Sequence, residues 1–182
     1  QPLRRRERDN RAAAGEAHVF KFYAPVEADT VQHCMAELGR WSRSSPGAPI
    51  TITFNSPGGS VLDGLALFDF IRHLRAAGHH VTTMALGRAA SMGAVLLQAG
   101  DTRVMGANAF LLIHEVSNQS NGRVSEMEDG VEFSRRLQQR LLTVLAERAV
   151  LTSAQIQRRW SRKDWWLDAG EAVDAGLADV IF

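Results

Sequence analysis

The segment Gly87–Gly93 has the composition expected around a nucleophilic serine. It reads Gly-Arg-Ala-Ala-Ser-Met-Gly and places Ser91 among small residues, after an apolar run and before a predicted helix. A serine on such a tight turn exposes its hydroxyl, and the backbone N–H groups at the start of the helix can stabilise a negatively charged oxygen. Because serine is also a favoured helix N-cap, the segment alone does not distinguish a nucleophile from a cap.

A second glycine-rich turn, Ser56–Gly59, follows another apolar run. Its two glycines allow the backbone to approach a ligand closely and to direct N–H groups outward. The turn is therefore a candidate for contacts with a peptide carbonyl or an oxyanion. An ordinary strand–helix turn has the same composition, so the signal is weak by itself.

A serine hydroxyl needs a base at neutral pH, and histidine has the pKa suited to that task. His114 directly follows the apolar run Phe110–Ile113, where a buried strand is predicted to end. Sites in parallel sheets lie at such strand ends, which favours this histidine. The other histidines lie near the first strand and helix, within the second helix, or in the loop that follows it: His18, His33, His73, His79 and His80.

A carboxylate that orients the histidine cannot be chosen by spacing, because the order of triad residues differs between folds. The C-terminal part of the chain offers four candidates: Asp164, Asp168, Asp174 and Asp179. Reasoning from residue types alone leaves this choice open.

Glycine-rich turns separate apolar strands from amphipathic helices along the chain. Strands are predicted over His18–Tyr23, Pro49–Phe54, Val81–Leu86 and Phe110–Ile113, and helices begin after N-caps at Asp29 and Ser60 and at Ser91. Gly87 is predicted to end the third strand, and Ser42–Pro49 to form a surface loop. Strands alternating with helices indicate an α/β domain with mostly parallel pairing, in which both glycine-rich turns lie at one edge of the sheet.

A long helix is predicted from a capping box at Ser125–Glu128. Apolar residues repeat along it at helical spacing and predict a face packed on the core: Met127, Val131, Leu137, Leu141 and Leu145. A shorter helix is predicted from an N-cap at Thr152 towards Trp160.

Composition indicates one ordinary globular domain. Of 182 residues, 45% are hydrophobic and 23% are charged, and the net charge is +1. We predict a basic N-terminal arm over residues 1–17 and a single domain over residues 18–182. The arm carries five arginines: Arg4, Arg5, Arg6, Arg8 and Arg11. We expect the arm to be a solvated tail rather than a nucleic-acid-binding segment.

Several classes of protein are disfavoured. The single cysteine, Cys34, excludes an intramolecular disulfide and is expected to be a buried thiol. Metal-ligating residues are not grouped, so no metal or cofactor is predicted. No apolar run is long enough for a membrane span, and the start of the chain lacks the apolar segment of a secretory signal, so a cytoplasmic location is expected.

Three blocks in order resemble the Clp protease proteolytic subunit, ClpP. They are Asn55–Val61, Gly87–Ala94 and Ile113-His114, and the intervals between them are also close to those of the family. The resemblance runs from about Phe20 to Ile181. It implies a crotonase-like α/β fold of repeated β-β-α units, with the long helix as a protruding handle. It also implies homo-oligomeric heptameric rings, stacked in pairs around a chamber in which polypeptides are hydrolysed.

The resemblance assigns roles to individual residues. The nucleophile, the general base and the orienting carboxylate would be Ser91, His114 and Asp164. The oxyanion hole would consist of the backbone N–H groups of Gly59 and Met92. Asp164 matches because it lies in the family's basic-Asp-x-aromatic-Leu stretch, and Asp168 is the alternative.

Some positions depart from the family's pattern. Glu115–Asn118 stands where the housekeeping enzyme has Gln-Pro and then Gly-Gly, which affects ring contacts and cleavage preference. Arg162-Lys163 replaces an Asp-Arg pair that couples ring pairing to activity. The arginine-rich arm does not match the axial loop, so the sequence does not support docking to an ATP-dependent unfoldase. With Trp165-Trp166, these departures resemble divergent relatives in phages and prophages, some of them encoded among capsid-maturation genes.

Three alternatives remain beside a Ser-His-Asp peptidase. A catalytically silent, structural ClpP-like subunit is disfavoured because all three triad positions are filled. A crotonase-type acyl-CoA enzyme shares the fold, but no CoA-binding signature is recognisable. A Ser-Lys peptidase needs a lysine base, and neither Lys21 nor Lys163 lies where such a base is expected.

Overall fold

The computed structural model describes residues 18–117, 119 and 121–182. The predicted arm, residues 1–17, lies outside the described residues, as do Asn118 and Ser120. The described strands are β1 His18–Phe22, β2 Ile50–Ser56, β3 Val81–Ala90, β4 Thr102–Met105, β5 Phe110–Ile113, β6 Trp165–Leu167 and β7 Val180–Ile181. The described helices are α1 Ala28–Ser44, α2 Val61–Ala76, α3 Met92–Leu97, α4 Val124–Ala146, α5 Ser153–Trp160 and α6 Ala169–Asp174.

The strands form one sheet in which most pairs are parallel. Its main path runs β1-β2-β3-β4-β7, with every pair parallel. β5 pairs in parallel with the far end of β3, and β6 lies antiparallel to β5. The predicted α/β class with mostly parallel pairing is therefore confirmed.

Strand β3 is longer than predicted and changes partner along its length. Its first half pairs with β4, and the stretch Arg88–Ala90 pairs with Phe110–Leu112 of β5. The prediction that Gly87 ends the strand is wrong, because β5 supplies new backbone partners beyond it. Gly87 instead has a φ of 74°, and the register with β2 shifts between Phe54 and Ser56. This change of partner carries β3 directly to the serine turn.

Two helix starts and one loop also differ from prediction. α1 begins after Glu27 rather than Asp29, and it continues to Ser44 into the predicted loop. The N-cap of α4 is Arg123, two residues before the predicted cap Ser125, because the Glu126 carboxylate accepts from the Arg123 N–H at 2.9 Å. The predicted caps at Ser60 and Thr152 are confirmed.

The core is continuous across both glycine-rich turns. Side chains of β2, α2 and α3 are fully buried in it, among them Ile52, Leu67 and Leu96. Cys34 is completely buried, and burial raises the pKa of its thiol far above the usual range. The predicted buried thiol is confirmed, and it stays protonated at any physiological pH.

Helix α4 packs on the core only near its C-terminal end. Leu141 and Leu145 are buried, whereas Val131 and Phe133 are each 46% exposed. The prediction of one core-facing stripe along the whole helix is therefore wrong for its N-terminal half, which extends beyond the domain's own core. Although α4 is the longest described helix, neither it nor any other described helix has the length and apolar content needed to cross a membrane.

A buried arginine of β4 forms an ion pair with the aspartate that precedes the C-terminal strand β7. Arg103, which is 2% exposed, donates from Nη2 and Nε to the two carboxylate oxygens of Asp179 at 2.6 and 3.1 Å. Arg148 donates to the same carboxylate at 3.0 Å. Burial alone would raise the pKa of Asp179, but the hydrogen bonds from Arg103 and the two arginine charges outweigh it and lower the pKa.

We expect Asp179→Asn to lower the free energy of unfolding by roughly 2–3 kcal/mol near neutral pH, because it leaves the buried Arg103 charge without its anionic partner. The folded-state pKa of Asp179 is depressed, so its contribution is complete above the usual carboxyl pKa of 3.8 and is lost as the pH falls below that value. Denaturation curves of both proteins from neutral to acid pH should converge at low pH.

The matched control is Asp174→Asn, at the exposed end of α6. We expect it to match wild type throughout the pH range. A constant difference between Asp179→Asn and wild type at every pH would contradict the electrostatic role of Asp179.

Candidate active site

Ser91 occupies a strained turn between β3 and α3. Its φ is 55° and its ψ is −119°, a conformation that non-glycine residues rarely adopt and that costs about 1–3 kcal/mol. Its backbone N–H donates to the Leu112 carbonyl at 2.8 Å, which ties the turn to β5. The side chain makes no capping hydrogen bond to α3. Capping of α3 therefore does not explain this serine. Its hydroxyl makes no hydrogen bond to the start of the helix, although its backbone is strained.

The Ser56–Gly59 turn lies in direct contact with the serine turn. Gly58 has a φ of 87°, and a Cβ atom on it would lie 2.6 Å from both the Ala90 carbonyl oxygen and the Ser91 Cβ. It would also lie 2.9 Å from the Met92 nitrogen. Gly59 has a φ of 149°, and a Cβ there would overlap the Val26 carbonyl. Only glycine lets the two turns approach this closely.

Two backbone N–H groups beside Ser91 are candidates for binding an oxyanion. Val26 and Gly59 form an isolated parallel bridge. In it the Val26 N–H donates to the Gly58 carbonyl at 2.8 Å and the Ser60 N–H donates to the Val26 carbonyl at 2.7 Å, so the Gly59 N–H takes no part in the bridge. Met92 is the first residue of α3, where an N–H has no carbonyl one turn earlier within the helix. Both residues line the same pocket as Ser91.

The pairing of β5 with β6 places His114 opposite Asp164. Ile113 pairs with Trp165 at the end of this antiparallel ladder, and the next residues beyond the pair are His114 and Asp164. His114 Nδ1 lies 3.5 Å from Asp164 Oδ1, within ion-pair range but longer than a typical hydrogen bond. The histidine side chain is 34% exposed and the aspartate 56%. The carboxylate can therefore orient the imidazole, although the contact is loose in the isolated chain.

Ser91 and His114 line one pocket, together with Gly59 and Met92. Apolar walls come from Val95, Ile113, Leu141, Leu145 and Trp160, and Glu115 and Ser117 add polar surface. Asp164 is not among the lining residues and reaches the pocket through its contact with His114. The structure thus places four of the five residues assigned by the resemblance in one pocket, with Asp164 in contact with His114.

The other candidate carboxylates have different roles. Asp168 is the N-cap of α6 and accepts from the Glu171 N–H at 2.8 Å. Asp179 pairs with Arg103, and Asp174 lies exposed at the end of α6. Within residues 18–117, 119 and 121–182, no group of three or more acidic, histidine or cysteine side chains is arranged to hold a metal ion.

A second serine–histidine pair was not foreseen from sequence. Ser42 Oγ lies 2.9 Å from His79 Nε2, and His79 Nδ1 lies 2.8 Å from the Ala48 carbonyl oxygen. His79 is only 3% exposed, and the Ser91 pocket does not include this pair. Residues 37 positions apart carry no sequence signal for such a contact, which joins the end of α1 to the loop before β3. We interpret it as a structural contact.

The sequence model of the Clp protease family matches residues 5–182. The chain belongs to the Clp protease family. The match covers nearly the whole chain, including the α/β sheet and both glycine-rich turns. It begins at residue 5, inside the segment predicted as an arm. Clp proteases are serine peptidases in general, and in this chain Ser91 and His114 line one pocket with Gly59 and Met92.

We expect Gly58→Ala to destabilise this Clp protease family member more than Gly78→Ala does. Gly78 has a similar φ of 98°, but nothing lies within 4 Å of its added Cβ, so only backbone strain of about 1–2 kcal/mol is expected there. At Gly58 the clash with Ala90 and Ser91 should add about 2 kcal/mol. Urea denaturation of both variants measures the difference. Equal losses would contradict the close packing of the two turns.

Proposed function

We propose that this chain is a serine endopeptidase in which Ser91, His114 and Asp164 act as a catalytic triad. The observation that carries the proposal is the position of His114: it shares a pocket with Ser91 on one side and contacts the Asp164 carboxylate on the other. This order of hydroxyl, imidazole and carboxylate is what nucleophilic serine catalysis requires.

The reaction follows from the two nitrogens of His114. Nδ1 faces Asp164, so Nε2 is the nitrogen available to the Ser91 hydroxyl. Nε2 takes the serine proton as Oγ attacks the scissile carbonyl, and then returns it to the leaving amine as the C–N bond breaks. The acyl-enzyme that remains is hydrolysed by water through the same proton transfers. Asp164 holds the imidazole in the productive tautomer and stabilises its protonated form.

The backbone N–H groups of Gly59 and Met92 would bind the oxyanion of the tetrahedral intermediate. Neither group is used in the strand bridge or the helix beside it, and both line the Ser91 pocket. Donors fixed in this way contribute about 3–4 kcal/mol to lowering the barrier, which corresponds to roughly a hundred- to a thousandfold in rate. The strained backbone at Ser91 leaves its hydroxyl out of the α3 cap.

Polypeptides are the substrates we propose, hydrolysed inside a homo-oligomeric chamber of heptameric rings. Clp proteases generally assemble into rings, and the N-terminal half of α4 carries apolar side chains that the domain's own core does not cover, such as Val124, Val131 and Phe133. The resemblance to phage and prophage relatives extends the proposal to capsid maturation.

A crotonase-type acyl-CoA enzyme is the second function to test, since it shares paired N–H donors on a similar fold. The His114–Asp164 contact favours the peptidase, because an orienting carboxylate serves a general base acting on a serine. A thermal-shift titration with coenzyme A separates the two functions. We expect no shift, and a clear saturable shift would favour the acyl-CoA enzyme.

We expect a fluorophosphonate probe to label wild-type protein and Ser42→Ala, but not Ser91→Ala. Ser42 is the matched control because it also contacts a histidine, yet lies away from the Ser91 pocket. Intact-mass spectrometry counts the adducts, and casein hydrolysis by the same three proteins gives the activity. Labelling that survives in Ser91→Ala, or a well-assembled wild type that is never labelled, would contradict the assignment and favour a silent structural subunit.

Asp164→Asn should lower kcat by about a thousandfold or more, because an amide at this position no longer selects the productive histidine tautomer. Asp168→Asn is the matched control, since Asp168 caps α6 by accepting from the Glu171 N–H and asparagine also caps helices. Hydrolysis of one fluorogenic peptide by both variants measures the effect. Retained activity in Asp164→Asn together with its loss in Asp168→Asn would transfer the role to Asp168.

A further inference from the structure

An acidic side chain lies in the pocket beside Ser91 without a counter-charge. Glu115 lines this pocket together with Ser91 and His114. It is half-buried, and it makes no hydrogen bond or ion pair with any residue that the structure describes. A carboxylate that loses part of its hydration without gaining a partner costs free energy. The Glu115 carboxylate is therefore available to a cation that a ligand brings into the pocket.

The charge of the pocket is of one sign. Among the described residues that line it, Glu115 is the single acidic side chain, and no lysine or arginine accompanies it. Asp164 is outside the lining and contacts His114. The apolar walls include Val95 and Leu145, which are almost completely buried. Buried apolar walls beside one half-exposed carboxylate suit a side chain with an aliphatic stem and a cationic end.

We propose that Glu115 selects substrates with lysine or arginine on the acyl side of the scissile bond. The inference rests on the proposed function, in which Ser91 attacks a carbonyl whose oxygen is bound by Gly59 and Met92. The residue that carries this carbonyl has its side chain only one bond farther away, so the side chain enters the pocket that these residues line with Glu115. Because solvent still reaches Glu115, the cationic end keeps part of its hydration while it pairs with the carboxylate.

Other side chains suit this pocket less well. An aspartate or glutamate in the substrate would bring a second negative charge close to the Glu115 carboxylate, and the two would repel each other. A neutral side chain of the same length as arginine packs on the apolar walls equally well but gains no attraction between charges. The difference between a cationic side chain and its neutral isostere therefore measures the contribution of Glu115.

The test uses two fluorogenic peptides that are identical except at the acyl-side residue, which is arginine in one and citrulline, its uncharged isostere, in the other. We expect wild-type kcat/KM to be about fivefold or more higher for the arginine peptide. In Glu115→Gln, which keeps the length of the side chain, the ratio should fall to within about twofold, chiefly through slower cleavage of the arginine peptide. The matched control is Glu147→Gln, which removes an exposed carboxylate outside this pocket and should keep the full ratio.

Salt separates the attraction between charges from the fit of shape. In wild type the ratio should fall at least about twofold as NaCl rises from about 20 mM to about 0.5 M, because the screening length shortens from about 20 Å to about 4 Å. Both peptides are cleaved by the same preparation, so an effect of salt on assembly cancels in the ratio. A ratio that does not change with salt, or that survives in Glu115→Gln, would overturn the inference. The salt series decides the matter even if the variant fails to fold.

Binding to Ser91→Ala protein gives a readout that does not need catalysis. We expect the dissociation constant to be about fivefold lower for the arginine peptide than for the citrulline peptide, and the difference to vanish when Glu115→Gln is added. If wild type cleaves neither peptide but this pattern persists, the proposed function fails and the inference on Glu115 stands. Equal dissociation constants, or no binding of either peptide, overturn the inference. A cation supplied to Glu115 by a neighbouring copy of the chain would produce that flat result.

Discussion

The close contact between Gly58 and Ser91 is the constraint on which the site depends. A Cβ atom at Gly58 would lie 2.6 Å from the Ser91 Cβ, so the two turns approach to a distance that excludes a side chain. This approach brings the Gly59 N–H beside the serine turn and holds Ser91 in a backbone conformation that an isolated turn would relax. The strain at Ser91 is therefore maintained by packing between turns that are over 30 positions apart in the chain. The buried contacts of β2 and β3 with α2 and α3 supply the free energy that maintains it.

A second constraint, the register of β5 with β6, sets the other half of the site. Because Ile113 pairs with Trp165, the next residues beyond the ladder are His114 and Asp164, and a shift by one residue would turn their side chains apart. The Ser91 N–H bond to Leu112 links this ladder to the serine turn. Hydroxyl, imidazole and carboxylate are thus positioned by backbone pairing, while the side-chain contact between His114 and Asp164 stays long at 3.5 Å.

Sequence reasoning was most informative where a local pattern has one physical cause. Glycines after an apolar strand predicted tight turns, and a polar residue at the end of an apolar run predicted His114 at the edge of the sheet. It was less informative where distant segments decide the outcome. Strand β3 continues past Gly87 only because β5 lies beside it. Residue types alone do not choose Asp164 among the aspartates, because that choice depends on the β5–β6 register. The exposed half of α4 and the place of Trp160 in the pocket likewise depend on packing that periodicity does not encode.

The most direct measurement of the central claim is a crystal structure of the protein acylated or phosphonylated at Ser91. The reagent's oxygen then stands where the oxyanion would form. The account predicts that this oxygen lies about 2.7–3.1 Å from the backbone nitrogens of both Gly59 and Met92, with the two glycine-rich turns still in contact. An adduct whose oxygen is directed to solvent, with neither N–H within hydrogen-bond distance, would contradict it.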